Sequence, residues 1–256
     1  TDALGGATYA AAANIAIGYR AGDAMTTGVR HTAVGWNALG AMTGAVHDST
    51  AVGYNALAAD TGGSNVAIGS NALAANTTGT GNIAIGVDAL LIQTASFQNI
   101  AIGNYTGDAI GSGGSNNTLV GHNCGGAITT GDNNIAVGAS SLPAVTTNSF
   151  NTAIGGTSLG NSTGTGNTAL GYISGLAMTS GSYNLAIGYN ADVSVATTSN
   201  QMNIGGLLWS DGVSTGTWGV TVATGGLGLG GMPAAGALLS IETGGAGRNM
   251  VTSVGM

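Results

Sequence analysis

The sequence predicts an all-β chain folded as a repetitive parallel β-solenoid (a β-roll) of about twelve 17-residue coils, and two observations predict it. The first is a repeat. The pentapeptide Asn82-Ile83-Ala84-Ile85-Gly86 recurs along most of the chain. Its closing glycine falls at Gly18, Gly35, Gly53, Gly69, Gly86, Gly103, Gly121, Gly138, Gly155, Gly171, Gly188 and Gly205, always 16 to 18 residues from the next. A period this regular marks stacked units that each bury a face against their neighbours. The second is composition. The chain holds 49 Gly, and 5% of its residues are charged. With Thr, Ser and Asn between the apolar slots, such a chain has little from which to build long helices. Strict placement of the apolar residues argues against disorder. Glycine does not recur every third residue, which excludes collagen.

Residues 1–13 read as a lead-in, 14–205 as the repeat array, and 206–256 as a small β cap or junction. Within the array each coil opens on a polar slot. It is Asn14, Asn65, Asn82, Asn99, Asn117, Asn134, Asn151, Asn167 and Asn184, with His31, Ser49 and Gln201 as replacements. Coils stacked about 4.8 Å apart would let these amides form a hydrogen-bonded ladder. Asn is equally a turn residue, and both readings stand at this point. A three-residue strand follows. Its first slot is apolar or Thr, its last is aliphatic, and its middle is Ala in all copies but Leu119 and Asn203. Alternation puts first and last on one face and Ala on the other. Branched side chains favour a short buried strand, so the branched face is expected inside. The glycine that closes the strand supplies a corner with φ > 0 or a close backbone approach.

After the glycine comes a second apolar anchor in two versions. Three residues on, the slot is small, as at Ala56, Ala72 and Ser158. The next residue is either Leu (Leu39, Leu57, Leu73, Leu90, Leu142, Leu159) or Gly (Gly22, Gly107, Gly125, Gly175). In the Gly version an apolar residue follows three places later: Met25, Ile110, Ile128 or Met178. A polar loop of Thr, Gly, Ser and Asn closes the coil. Beyond Gly206 the pattern dissolves, although Leu207-Leu208-Trp209 and Trp218-Gly219-Val220-Thr221-Val222 read as strands.

A solenoid has one interior, so the second strand face is either bare or an interface. Ala in ten coils makes a flat stripe suited to close approach of symmetry mates, and a homotrimer built on it is the expectation.

The Asn-x-Ala-Ile-Gly repeat, with its Ala-Leu pair (Ala56-Leu57, Ala72-Leu73, Ala89-Leu90) and Thr-Gly loop, resembles two groups. One is the trimeric phage tail-fibre and appendage proteins. The other is the β-roll head of trimeric autotransporter adhesins. Asn65-Val66-Ala67-Ile68-Gly69 matches both. The 17-residue period and Asn200-Gln201-Met202-Asn203-Ile204-Gly205 look more like the phage group. The resemblance implies parallel trimers, a virion location in a tail fibre or appendage, and other fibre or baseplate proteins as partners. It also implies a host cell-surface glycan or protein as receptor. The alternative it implies is a bacterial surface adhesin head that binds host matrix or glycans from an extracellular cell surface.

Chemistry was sought in the same residues. The formal charge is −7, with no Lys and only Arg20, Arg30 and Arg248, which argues against nucleic acid. No apolar run approaches membrane-spanning length, so no membrane insertion is expected. His31, His47 and His122 fall in different slots and form no metal motif. Carboxylates form no catalytic pair, and Ser has no motif partner. No enzyme, cofactor or metal is expected. Cys124 sits in a small-residue slot as an Ala-like filler. Thr does not keep one constant outward slot, which disfavours an ice-binding surface. The candidates left for receptor contact are the rings just after three early glycines, Tyr19, Trp36 and Tyr54. The structural repeat itself rests on pairs such as Asn14 with Gly18, Asn65 with Gly69, Asn82 with Gly86 and Asn99 with Gly103. Asn134 with Gly138, Asn151 with Gly155 and Asn184 with Gly188 repeat the pairing.

Overall fold

A computed structural model describes residues 13–43 and 47–205, together with the backbone of 208–210 and 221–222. Twelve parallel three-residue strands, from β1 (Ile15–Ile17) to β12 (Met202–Ile204), stack in sequence order and delimit eleven full coils. Pairing is in register throughout. Ile83 lies beside Ile100, Ala84 beside Ala101 and Ile85 beside Ile102. The 16- and 18-residue spacings are therefore absorbed in the loops. Two further strands, β13 (Leu208–Ser210) and β14 (Thr221–Val222), run antiparallel, β13 against β12 and β14 against β13. The lead-in to residue 12 and the remainder of 206–256 lie outside the described residues. Among the described residues there is no helix.

Each coil closes on its glycine. At Gly86 the backbone turns at φ 138°. A Cβ there would overlap the carbonyl oxygen of Gly103 in the next coil. Both reasons for glycine, the positive φ and the close approach, apply at once. Beyond the corner the chain continues to bond from coil to coil, as in Leu39 N–H to Ala56 O at 3.1 Å.

The strand faces are the reverse of the expectation. Ala33, Ala51, Ala67, Ala84, Ala101, Ala136, Ala153, Ala169 and Ala186 are fully buried inside the coil. The branched residues on either side point outward and stay partly exposed, as at Ile68, Ile102, Val137 and Ile154. The opposite wall decides this. Leu39, Leu57, Leu73, Leu90, Leu142 and Leu159 reach in from just past the corner, each completely buried. So are Met25, Ile110, Ile128 and Met178 from the glycine version. That wall fills the narrow interior, and only a methyl fits across from it at packed density. An Ala-lined interface is thus excluded, because the Ala stripe is core.

The two versions of the anchor share one backbone. Leu90 sits at φ 51° and Gly107, in the same slot of the next coil, at φ 59°. A left-handed Leu costs about 1–2 kcal/mol, and burial of the side chain, worth roughly 1.5–3 kcal/mol, offsets it. Where Gly stands instead, the space is taken. A Cβ on Gly107 would lie 2.9 Å from Leu119 Cδ1 and 3.1 Å from Ile110 Cδ1. A Cβ on Gly125 would lie 2.9 Å from both Leu119 Cδ2 and Ile128 Cδ1. Leu119, the bulky exception in the Ala column, therefore fills the room left by two successive Gly coils.

Candidate functional site

Inside the array, the opening slot is a ladder. Asn65 Oδ1 accepts the Asn82 backbone N–H at 2.9 Å, Asn82 Oδ1 that of Asn99 at 3.0 Å, and Asn99 Oδ1 that of Asn117 at 2.9 Å. The same bond recurs through Asn134, Asn151, Asn167 and Asn184 to Gln201. Many of the Nδ2 groups also tie down the polar loop of the coil beyond, as in Asn82 Nδ2 to Ser96 O at 3.0 Å. The replacements keep the function. Asn14 Oδ1 accepts from His31 N–H, His31 Nδ1 from Ser49 N–H and Ser49 Oγ from Asn65 N–H. These side chains are buried from His31 onward. Orphaned, each N–H would cost about 1–3 kcal/mol. The ladder is therefore a scaffold with no face to solvent.

Three features do face solvent. The first is the strand face itself. The outward slots of β1 to β12 form two adjacent columns of Ile, Val and Leu with Thr interspersed. At about 4.8 Å per coil the sheet runs about 55 Å, an apolar face on the order of 500 Å². Ile154, in mid-array, is 37% exposed, which is what a column leaves after its own neighbours cover its flanks.

The second is the row of rings one residue past the corner. Tyr19, Trp36 and Tyr54 occupy that slot in three successive coils, and the structure brings them together. Tyr19 and Trp36 stack with centroids 6.0 Å apart and planes at 23°. Trp36 and Tyr54 stack at 4.9 Å and 13°. Their exposures are 53%, 42% and 50%. A second pair, Tyr172 and Tyr189, stacks at 6.0 Å further along the same slot. Between the two groups the slot holds Ser70, Val87, Asn104, His122, Ala139 and Gly156. His122 meets Tyr105 edge-on.

Beside the first rings lies a polar row that the sequence reading missed. Asn37 Nδ2 donates to Asn55 Oδ1 at 2.9 Å, Asn55 Nδ2 to Asn71 Oδ1 at 3.4 Å, and Asn71 Nδ2 to Asp88 Oδ1 at 3.0 Å. All four residues are left-handed, at φ 53° to 57°, a conformation Asn and Asp tolerate. The signal was present as Asn two places after three successive glycines.

The third is a threonine row. Eight residues past the glycine stand Thr26, Thr43, Thr61, Thr77, Thr94, Thr129, Thr146, Thr163 and Thr179. Thr thus holds this outer slot in all but two of these coils, where Gly111 and Ala196 stand, more regularly than expected. Its hydroxyls stitch the loops together, as in Thr61 Oγ1 to Thr77 O at 2.8 Å and Thr77 Oγ1 to Thr94 O at 3.0 Å.

Among the described residues no three of His, Cys, Asp and Glu converge on a metal position. Burial pushes the Cys124 thiol up; its Sγ bonds Ala136 O at 3.2 Å. Arg30 and Asp48 form an exposed two-armed pair at 2.6 and 2.8 Å. No helix of the described residues is long and apolar enough to cross a membrane. In comparison with known proteins, the chain matches no family, no curated protein and no solved structure.

Proposed function

We propose that the chain is a structural and adhesive fibre segment of a virion, in which three parallel copies pack together and space or present receptor-binding surfaces. The observation that carries this reading is the outward strand face. An apolar face that repeats at the coil rise along a rigid rod is a self-complementary surface of the kind that closes into symmetric oligomers. The interface is placed on the branched columns, not on Ala. The Asn ladder and the glycine corners supply the stiffness of the rod. β13, paired antiparallel on β12, covers the edge of the last coil, as the end of any stacked sheet requires. The fibre or appendage setting, its neighbouring fibre or baseplate proteins and a host cell-surface receptor follow from the likeness of the repeat.

The test is absolute mass by light scattering. A trimer has three times the chain mass of 24.4 kDa. Ile85→Asp and Ile102→Asp, in the middle of the outward face, should reduce it to one chain while the far-ultraviolet spectrum stays that of the wild type. A wild-type mass of one chain would sink the reading.

A further inference from the structure

We propose that Tyr54, with Asn71 and Asp88 beside it, forms a docking step for a neutral hexopyranose of a glycan chain. This rests on the reading of the segment as adhesive and names the class of its receptor.

The stack ends at Tyr54. Trp36 lies against one side of the Tyr54 ring at 4.9 Å, and in the next coil the same slot holds Ser70. The column keeps its coil-to-coil rise, so beyond Tyr54 the slot carries only the small Ser70 side chain. A flat ring placed there continues the stack. Stacked rings are attracted through broad apolar faces, and the carbon-hydrogen face of a pyranose offers such a surface.

The rim supplies the other half of sugar recognition. Asn55, Asn71 and Asp88 line the side of the step as a chain of amides ending in a carboxylate. Their left-handed backbones and mutual hydrogen bonds hold them in place before any ligand arrives, which lowers the entropy cost of binding. Amides and carboxylates offer donors and acceptors to vicinal hydroxyls.

Charge selects within the class. The chain carries −7. Among the described residues its cations are Arg20 and Arg30, each already paired, with Asp23 and Asp48. A phosphate, a sulfated sugar or a nucleotide would meet Asp88 with no cation to receive it. A neutral sugar meets no such penalty. The Tyr172–Tyr189 pair is the internal control. Its rings lie beside Ile173 and Asn190, without the amide chain.

The experiment uses the full chain on an array of immobilised neutral oligosaccharides of glucose, galactose, mannose and N-acetylhexosamines. Sialylated and sulfated glycans serve as anionic probes. At least one neutral glycan should bind. Tyr54→Ala and Asn71→Ala should each weaken it at least about tenfold, while Tyr189→Ala leaves it unchanged. Mass is measured on every variant. No binding to any neutral glycan overturns the proposal, as does binding confined to anionic glycans or indifferent to Tyr54→Ala. A fall in mass with Tyr54→Ala would place the ring in a seam between copies and also overturn it. A one-chain wild type that binds through Tyr54 would keep this site and remove the trimer.

Discussion

In the coil that follows Gly86, Leu90 turns inward at φ 51° and the slot three residues later holds the polar Gln93. In the next coil the same positions hold Gly107, at φ 59°, and Ile110. The difference runs through the array. Among the coils that carry Leu, the later slot is Met42, Asp60, Asn76, Gln93, Val145 or Ser162; among those that carry Gly it is always Met or Ile. In this later slot a polar side chain stands only where Leu already fills the interior. Each Leu or Gly coil thus needs at least one large apolar group, and the backbone accepts it from either position. The repeat tolerates variation because the fill is kept while its point of attachment is not.

The comparison breaks most sharply at Leu119, which belongs to the Gly coils. Its side chain sits against both Gly107 and Gly125. Truncation with Leu119→Ala should leave a cavity that neither glycine can close, with a loss of about 3–5 kcal/mol in urea unfolding. The same Ala is native in the neighbouring coils, so a repeat-consensus argument forecasts a gain. A change under about 1 kcal/mol would mean that the glycine coils are not filled as described.

Interconverting the two versions is a finer test. Leu142→Gly should cost about 2–4 kcal/mol, since relief of left-handed strain offsets part of the cavity. Val145→Met should then change sign with its background. In the wild type it overpacks a filled coil and costs about 1 kcal/mol; combined with Leu142→Gly it restores about that much or more. Equal effects in both backgrounds would show that the two slots do not share one space.

Much of this was legible beforehand. The twelve copies of the pentapeptide are the twelve parallel strands, and the Leu and Gly versions were visible as a pattern. Which face turns inward was not. Alternation at Ile83, Ala84 and Ile85 separates two faces without ranking them. The choice depends on Leu90 and Ile110 reaching across from the far wall, a contact with no sequence spacing of its own. The two readings of Asn82, turn or ladder, part in the structure, where His31 Nδ1 accepts from Ser49 N–H and Ser49 Oγ from Asn65 N–H, the bond Asn makes elsewhere. The Thr row and the Asn37–Asp88 row were readable in principle, because each keeps a constant offset from the glycine. A constant offset does not by itself say which way a side chain points, and that is set by the fold of the corner and the loop. The stacking of Tyr19, Trp36 and Tyr54 required the coil rise, which the sequence implies only once the fold is known.

The smallest effect separates Asp60 from the other polar residues of the Leu coils. Asp60 is buried, and its carboxylate accepts from Asn76 Nδ2 at 2.7 Å, Ser49 Oγ at 3.1 Å, Gly62 N–H at 3.1 Å and Asn65 Nδ2 at 3.2 Å. Burial raises its pKa above the ordinary 3.8 despite these donors. Well below 3.8 both folded and unfolded chains hold the proton. As pH rises through 3.8 the unfolded chain releases it first, so the folded state binds more protons and stability falls until the raised pKa is passed. Asp108 and Asp192 are raised by burial too and add to the same slope. Asp48, lowered by its hydrogen bond to Arg30, acts oppositely, in the window below 3.8. Melting followed from neutral pH down toward about pH 4 should therefore show rising stability. Asp60→Asn can keep the three bonds to one oxygen and turn its Nδ2 to Ser49 Oγ. It should be more stable than the wild type at neutral pH and show a shallower slope. Parallel curves for the two proteins would mean that the four donors hold Asp60 ionised at no net cost, and that a Leu coil accepts a charge as readily as the amide of Asn76.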